Sequence, residues 1–357
     1  MPTIRNPINP NTFIDITSSL ENIPFSYGRY ADSGLFDEQG ISSKSTMFKV
    51  VEQKDTKMTK LTSRTERDAM AVDKEKEKYV TMSGITVKMT GGVHVEDLMD
   101  VSSDLITMDS DTWQDATLKE LTRLANAGAA NYEYLITTAS QGRVKDPLNG
   151  DVAMDLFDMT GTTQTTFTLD ASASGDIFAE LNRLANLVSE LNGSNGNVGQ
   201  IEIVLGETAF SAIVAHPDFS GLAQLAFTGM GQAAMNNQLL NGTAGVQERT
   251  RYGYRREFSW NNFLFVTYPQ KFRRWDNTQV DAVEANKGWT IVHNVNGLYE
   301  VKFCPAPYAS QLRSVGQRWL ARTTGIVDDT HSDITLESHL IPYMKRPEMA
   351  IDITVTT

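Results

Sequence analysis

The stretch DTWQDATLKELTRLANAGAANYEYLITTASQG, residues 111–142, carries a long helical pattern. Apolar side chains recur from Trp113 to Ile136 at intervals close to 3.6 residues. Ser110 or Asp111 can cap the start, and Gly142 stands just past the end. The pattern predicts one helix of about 30 residues, roughly 45 Å long at about 1.5 Å per residue. Helices of globular domains average about 11 or 12 residues, so we expect this one to act as a spine.

The segment before this helix predicts a long two-stranded excursion. Residues 46–61 and 78–90 have strand-like patterns, the second rich in β-branched side chains. The stretch TSRTERDAMAVDKEKEKYVTM (62–82) follows the first segment and overlaps the start of the second. It contains five basic and five acidic side chains, and Tyr79 is its only aromatic residue. A ribbon with so little to bury is marginal in water by itself, so we expect it to need a partner surface.

The remaining segments predict a mixture of helices and strands. Residues 1–44 lack a clean period and predict an arm that packs on another surface; 94–105 predicts a short helix. Short strands joined by a turn are expected in 143–159, and the Thr-, Ser-, Ala- and Gly-rich 160–175 is interpreted as a boundary. Asp176 is expected to cap an amphipathic helix. The other predicted elements are a strand, turn and helix in 199–217, and strands in 252–270, 288–297, 298–307 and 332–357.

Composition narrows the functional classes. The hydrophobic content of 40% is enough for a core, whereas the net charge of −12 argues against a protein built mainly to grip phosphates. A single cysteine, Cys304, allows no intrachain disulfide and predicts a small buried hydrophobic residue. The sequence has no apolar signal region and no run near the roughly 18 apolar residues of a membrane span, so we expect a soluble protein with no membrane contact.

Catalytic and metal-binding motifs are absent from the sequence. It contains no HExxH, GxSxG or GxxxxGK[ST] pattern. His331 and Asp333, near Asp328 and Asp329, could hold a metal, but a solvated loop is the favoured interpretation. We therefore predict no catalytic residue, no metal and no cofactor.

One basic cluster lies outside the excursion: Arg249, Arg251, Arg255 and Arg256, interleaved with Tyr252 and Tyr254. It could contact DNA through phosphate binding and base stacking. It could instead pair with acidic groups in an inter-subunit or exposed loop, and the negative net charge favours this second interpretation.

The order of these elements resembles the major capsid proteins of tailed phages, and within them the lambda-type major capsid protein E family. The resemblance covers most of residues 30–357, although it has no identified counterpart for 218–250. Its local support comes from three segments: GRVKDPLNGDVAMDLFDMTG (142–161), FLFVTYPQKFRRWDNTQVDAVEANKG (263–288) and ESHLIPYMKRPEMAIDITV (337–355).

The resemblance implies an α+β fold of the Hong Kong 97 (Johnson) type. Its parts would be an N-terminal arm (1–44), an E-loop formed by the excursion (45–90), a P domain (91–170) with the spine helix at 111–140, an A domain (171–322), and C-terminal strands (323–357) that return to the P domain. The E-loop lies across a neighbouring subunit in this fold, which would explain a finger without a core of its own.

The implied function is a major capsid protein that forms pentamers and hexamers of an icosahedral head around double-stranded DNA. Implied partners are further copies of the chain, a scaffolding protein, a portal, a decoration protein and packaged DNA bound without sequence specificity. The implied location is the virion, after assembly in the host bacterial cytoplasm. Alternatives are an encapsulin-like compartment shell and a cytoplasmic enzyme using 171–322. The expected inter-subunit contacts in the E-loop are Arg64, Glu66, Arg67, Asp68, Asp73, Lys74, Glu75, Lys76, Glu77 and Lys78.

Overall fold

The structure is a computed structural model of the 357-residue chain. It describes residues 14–22, 28–50, 78–96, 110–193, 198–219, 247–250, 253–268, 271–274, 277–295, 297–324, 327 and 330–356.

The described residues form both helices and strands, with strands more numerous. The α-helices are α1 (Arg29–Ser33), α2 (Ser110–Ser140), α3 (Leu156–Thr160), α4 (Ile177–Asn192) and α5 (Glu207–Ala215), and 3-10 helices span Thr17–Asn22, Ala309–Gln311 and Pro347–Met349. The strands are β1 (Ile14–Asp15), β2 (Asp37–Gly40), β3 (Ser45–Val50), β4 (Lys78–Ser83), β5 (Ile85–His94), β6 (Arg143–Lys145), β7 (Val152–Asp155), β8 (Thr166–Asp170), β9 (Ile201–Leu205), β10 (Gln247–Thr250), β11 (Gly253–Trp260), β12 (Phe263–Thr267), β13 (Lys271–Arg273), β14 (Gln279–Asp281), β15 (Lys287–Val292), β16 (Tyr299–Phe303), β17 (Leu320–Thr323), β18 (His331–Met344) and β19 (Asp352–Thr356).

The chain divides into two units. Unit 1 comprises 1–46, 82–136 and 300–342, and unit 2 comprises 47–81, 137–299 and 343–357. The sheet associated with unit 1 has the order β1-β17-β18-β16-β2, and β5 also pairs with β18. The β5–β18 pairing is antiparallel, from His331 opposite His94 to Leu340 opposite Ile85.

The spine helix predicted for 111–140 is confirmed as α2, Ser110–Ser140. Its apolar stripe is buried, since Leu121, Leu124 and Ala125 are at most 3% exposed. Gly128 lies on this stripe because a Cβ there would be 2.8 Å from Trp319 Cη2 and 3.0 Å from Met89 Cε. A glycine in a helix costs about 1 kcal/mol relative to alanine, and here it makes room for the Trp319 ring.

Unit 2 is built on a seven-stranded mixed sheet of order β10-β11-β12-β9-β15-β19-β8. Strand β9 is buried along its whole length, as the run IEIVL predicts, and it pairs parallel with β12 and antiparallel with β15. The amphipathic helix expected after Asp176 is confirmed as α4. The Asp176 carboxylate accepts the Ala179 backbone N–H at 2.9 Å, and Leu181 and Leu184 are fully buried.

Two sequence interpretations are wrong in detail. The polar stretch 160–175 contains β8, whose alternating Phe167 and Leu169 are buried where it pairs with β19. The strand expected over 78–90 is interrupted at Gly84, and β4 and β5 join different sheets. The Gly84 N–H bonds the Lys44 carbonyl at 3.1 Å, and a Cβ there would be 3.2 Å from Cys304 Sγ.

Residues 300–322, which the sequence interpretation assigned to the A domain, belong to unit 1 because β16 and β17 join its sheet. Most of the helix predicted for 94–105 lies outside the described residues, as does most of 218–250.

Candidate assembly surfaces

The base of the excursion is a two-stranded ribbon, β3 paired with β4. One side of the ribbon is buried through Phe48, Val80 and Met82, and the Phe48 ring stacks on Tyr343 with centroids 4.7 Å apart. Alternate positions expose apolar side chains, with Met47 63% and Tyr79 55% exposed. The period-2 pattern of strands therefore buries one face of the ribbon and exposes the other at Met47 and Tyr79.

The predicted contact residues of the excursion fall largely outside the description. Arg64, Glu66, Arg67, Asp68, Asp73, Lys74, Glu75, Lys76 and Glu77 all lie in the undescribed 51–77, and Lys78 is the first residue of β4. Their role as inter-subunit contacts stays a prediction.

The N-terminal segment is held to the spine by Glu133. This glutamate is fully buried on α2, and its carboxylate accepts the backbone N–H groups of Arg29, Tyr30 and Ala31 at 2.9, 3.0 and 2.9 Å. These donors belong to the first turn of α1, which has no intrahelical acceptor for them. The sequence interpretation missed this contact, although a charged residue amid the buried residues of the helix is a signal for it.

Two arginine–tyrosine–carboxylate groupings stabilise unit 1. The Arg318 guanidinium lies 4.3 Å from the Tyr132 ring centroid, and the Tyr132 hydroxyl donates to Glu38 at 2.7 Å. Burial raises the pKa of Tyr132, which nearby Arg318 opposes only in part, so the hydroxyl remains a donor. Arg322 similarly lies 3.9 Å from the ring centroid of Tyr308.

Tyr308 forms the polar centre of the second grouping. Its hydroxyl donates to Glu337 at 2.9 Å, and Glu337 is only 2% exposed. His339, two residues along β18, bonds the Thr86 hydroxyl at 2.8 Å, and burial lowers the pKa of its imidazole. The strand thus carries a buried carboxylate beside a histidine whose protonation is disfavoured by burial.

The basic cluster lies at a β-hairpin. Arg249 stands in β10 opposite Tyr254, while Arg255 and Arg256 stand in β11 opposite Glu248 and Gln247. Arg251 lies outside the described residues. The register places Arg255 across from Glu248 on the neighbouring strand. Whether the cluster contacts DNA or another subunit stays a prediction.

Metal-ligating residue types do not cluster in the described part of the chain. They contain no group of three or more His, Cys, Asp or Glu that could hold a metal, and His331 stacks on His94 with ring centroids 5.5 Å apart. Asp328 and Asp329 are outside the description. Cys304 is buried as predicted, and burial raises the pKa of its thiol, which disfavours the reactive thiolate. No described helix has the length and apolar character needed to cross a membrane.

In unit 2, Arg346 closes the C-terminal end of α4. It is 4% exposed, and its guanidinium donates to the Asn192 side-chain oxygen at 2.9 Å and to the carbonyls of Asn192 and Leu191. Its Nε donates to Glu348 at 3.1 Å. A cation at the negative end of the helix satisfies carbonyls that lack intrahelical donors.

The family model of "Phage major capsid protein E" matches residues 12–355. The chain belongs to this family. The major capsid protein of Salmonella phage Felix O1 (isolate Felix O1-VT1) is 21% identical over 355 residues, a match covering 95% of each chain. This major capsid protein E family member therefore has the function of a phage major capsid protein, a structural component of the virion shell.

The fold of the family member is of the Hong Kong 97 type, in agreement with the sequence interpretation. A protein of Escherichia coli CFT073, described as a capsid protein of prophage, has a crystal structure that superposes with a TM-score of 0.56. That alignment covers 97% of this chain and 100% of the other at 11% identity. The compartment-shell and enzyme alternatives are not favoured.

Proposed function

We propose that copies of this capsid protein assemble into pentamers and hexamers, which close into an icosahedral head around double-stranded DNA. The observation that carries the proposal is the β3–β4 ribbon. One face of the ribbon is buried, while Met47 and Tyr79 are exposed at alternate positions. The ribbon leads into a charged segment with little apolar content to support a core, and a neighbouring copy supplies the surface it lacks.

The charges of the excursion suit reversible assembly followed by locking. Each exposed ion pair contributes about 0–1 kcal/mol, so a single contact can dissociate and correct its register. Alternating signs give specificity more than affinity. Many such contacts in a closed shell act together, since neighbouring subunits hold each pair at high effective concentration.

The negative net charge of the chain suits a shell that encloses DNA without binding it tightly. A net charge of −12 repels the DNA phosphates overall, which weakens non-specific attraction between the shell and the packaged DNA. The proposed partners beyond the chain itself are a scaffolding protein, a portal and a decoration protein, with assembly in the host bacterial cytoplasm. The shell itself would have no enzymatic activity.

The test is co-expression with the neighbouring genes, followed by gradient sedimentation and nuclease treatment. The proposal expects fast-sedimenting particles whose double-stranded DNA is protected from nuclease. Particles that contain a folded protein cargo and no protected DNA would instead indicate a compartment shell. Expression of the chain alone is the matched control, because it separates shell formation from DNA packaging.

A further inference from the structure

Two short segments expose pairs of apolar side chains beside opposite charges. The first, here called the basic loop, is residues 309–316, where Leu312 is 76% and Val315 59% exposed around the exposed Arg313. The second, here called the acidic turn, is residues 146–152, where Leu148 is 58% and Val152 48% exposed. Single exposed apolar residues are ordinary, but two such pairs on ordered loops indicate contact surfaces.

The basic loop is rigidly built. Gln311 N–H donates to the Tyr308 carbonyl at 2.9 Å, and the Ser314 hydroxyl donates to the Gln311 side chain at 2.7 Å. Gly316 N–H bonds the Ile41 carbonyl at 2.9 Å, and Tyr308 is tied to buried Glu337. These bonds hold the backbone so that little conformational freedom is lost when its outer face is covered.

Arg313 is the cationic group of this loop. It has a left-handed backbone conformation with φ of 71°, which a non-glycine residue adopts uncommonly. Among the described residues it has no ion-pair partner. Neighbouring Arg318, in contrast, pairs with Glu38 at 3.0 Å. The loop therefore presents one uncompensated positive charge between two apolar side chains.

The acidic turn is equally ordered. Asp146 N–H donates to the Asp151 carbonyl at 2.8 Å, and Gly150 N–H donates to the Asp146 carbonyl at 2.8 Å. The Asp146 carboxylate accepts the Leu148 N–H at 2.8 Å, and the Asp151 N–H donates to the Asn149 side chain at 3.0 Å. Neither aspartate has an ion-pair partner among the described residues. With Lys145 beside them, two carboxylates and one ammonium leave the turn with a net negative charge.

We infer that the acidic turn of one subunit docks on the basic loop of a second copy. The inference rests on the proposed self-assembly and names one of its contacts. Each segment exposes two apolar side chains and is opposite to the other in charge, and each is held in one conformation by its own hydrogen bonds. In a ring of the proposed shell each subunit uses both surfaces, one toward each neighbour, and such a head-to-tail contact closes when the rotation per subunit allows it.

The decisive pair is Arg313 with Asp151, so the test is a charge exchange between them. The three proteins are Arg313→Asp, Asp151→Arg and the double variant, each compared with the unchanged chain. Each single variant should raise the threshold concentration for assembly at least about tenfold, because like charges then meet across a contact lined by apolar side chains. The double variant should restore it to within about twofold, since the ion pair is rebuilt with its signs reversed.

Matched controls distinguish a lost contact from a damaged fold. Asp115→Arg and Lys119→Asp reverse charges at exposed positions of α2, and they should leave assembly unchanged. Thermal unfolding of every variant before assembly should differ little from the unchanged chain. The readouts are light scattering for assembly and circular dichroism for folding.

Each outcome decides a specific point. Single variants that assemble at the normal concentration would overturn the docking contact and leave the proposed shell intact. Single variants that fail and are not rescued by the double exchange would show that the two residues meet other groups, which contradicts their pairing. An unchanged chain that forms no shell with its neighbouring gene products would contradict the proposed function itself.

Discussion

The carboxylate of Glu133 accepts the backbone N–H of Tyr30 at 3.0 Å, across 103 positions of sequence. The same side chain accepts the N–H groups of Arg29 and Ala31, so one buried charge holds the first turn of α1 against the spine helix. An anion at a helix N-terminus is favoured by the helix dipole as well as by its hydrogen bonds. The contact fixes the position of α1 relative to α2 within unit 1.

Removing the charge of Glu133 should destabilise the subunit. Glu133→Gln retains the size of the side chain, but it removes the charge and replaces one of the two accepting oxygens with an NH2 group that cannot accept a backbone N–H. A hydrogen bond to a charged group contributes about 1.5–3 kcal/mol, and one to a neutral group about 0.5–1.5 kcal/mol. Because glutamine keeps part of the bonding, we expect the free energy of unfolding to fall by roughly 1–3 kcal/mol. Denaturant unfolding measures it, with Asp115→Asn at an exposed position of α2 as the control. Equal stability of the two variants would mean that Glu133 is not an anchor.

A side chain at Gly28 should disrupt the same contact. Gly28 has a φ of 124°, and a Cβ there would be 2.5 Å from Glu133 Oε2. Gly34 also has positive φ, 68°, but nothing lies within 4 Å of its Cβ position. Gly28→Ala should therefore lower the thermal midpoint by several degrees more than Gly34→Ala. A smaller loss for Gly28→Ala would contradict the steric argument.

Gly128 provides a test of packing against helix propensity. Alanine in place of glycine should stabilise a helix by about 1 kcal/mol. We expect Gly128→Ala to destabilise the protein instead, since its Cβ would be 2.8 Å from Trp319 Cη2. Changing the exposed neighbour Ala127 to Gly serves as the control, and that change should cost about 1 kcal/mol through propensity alone. A rise in thermal midpoint for Gly128→Ala would show that Trp319 relaxes freely.

Local pattern predicted most regular elements of the fold. The 3.6-residue period located α2 within one residue of its observed start, and the capping role of Asp176 was read from its position before an apolar stripe. The buried run of β9 followed by α5 was also foreseen. These features depend on neighbours in sequence, which is why a single chain reveals them.

Contacts between residues far apart in the chain could not be predicted from the sequence. The short β8 segment is polar in composition and becomes a strand because β19 pairs with it. Glu133 and Arg346 acquire their roles from α1 and α4, each more than a hundred residues away. For β8, tertiary contacts override a weak local strand propensity. The roles of Glu133 and Arg346 depend on partners that no local sequence pattern identifies. The capsid function could be inferred from the order of elements in the sequence. The hydrogen bonds of Glu133 and Arg346 could be identified only in the structure.

Stability of the subunit should fall on mild acidification through His339. Burial and the nearby Lys88 lower the pKa of this histidine, while Glu337 opposes the effect. The unfolded chain then binds a proton near the ordinary pKa of 6.5, and the folded chain binds it only at lower pH. Stability is therefore full above that value and decreases as the pH falls below it toward the folded pKa.

His339→Gln should flatten this pH dependence, because the side chain no longer titrates. Denaturant unfolding of both proteins between about pH 5 and 8 measures the slope. His331→Gln, on the same strand and stacked on His94, is the control. A slope unchanged in the His339 variant would assign the acid sensitivity to other groups.

The charged excursion should affect assembly without affecting folding. Replacing Lys74, Lys76 and Lys78 with Glu removes the alternation of signs and should raise the assembly threshold by about tenfold or more, since like charges then repel across the interface. The thermal midpoint of the unassembled subunit should stay the same, because the segment has no core to lose. Lys119→Glu on α2 is the single-site control. Loss of folding in the triple variant would contradict an external role for the excursion.

The most direct test of the central claim is negative-stain electron microscopy of the protein expressed with its neighbouring genes. The account predicts closed icosahedral shells, together with rings of five and six subunits in incomplete assemblies. A field of small, uniform particles at every protein concentration would contradict assembly into a phage head.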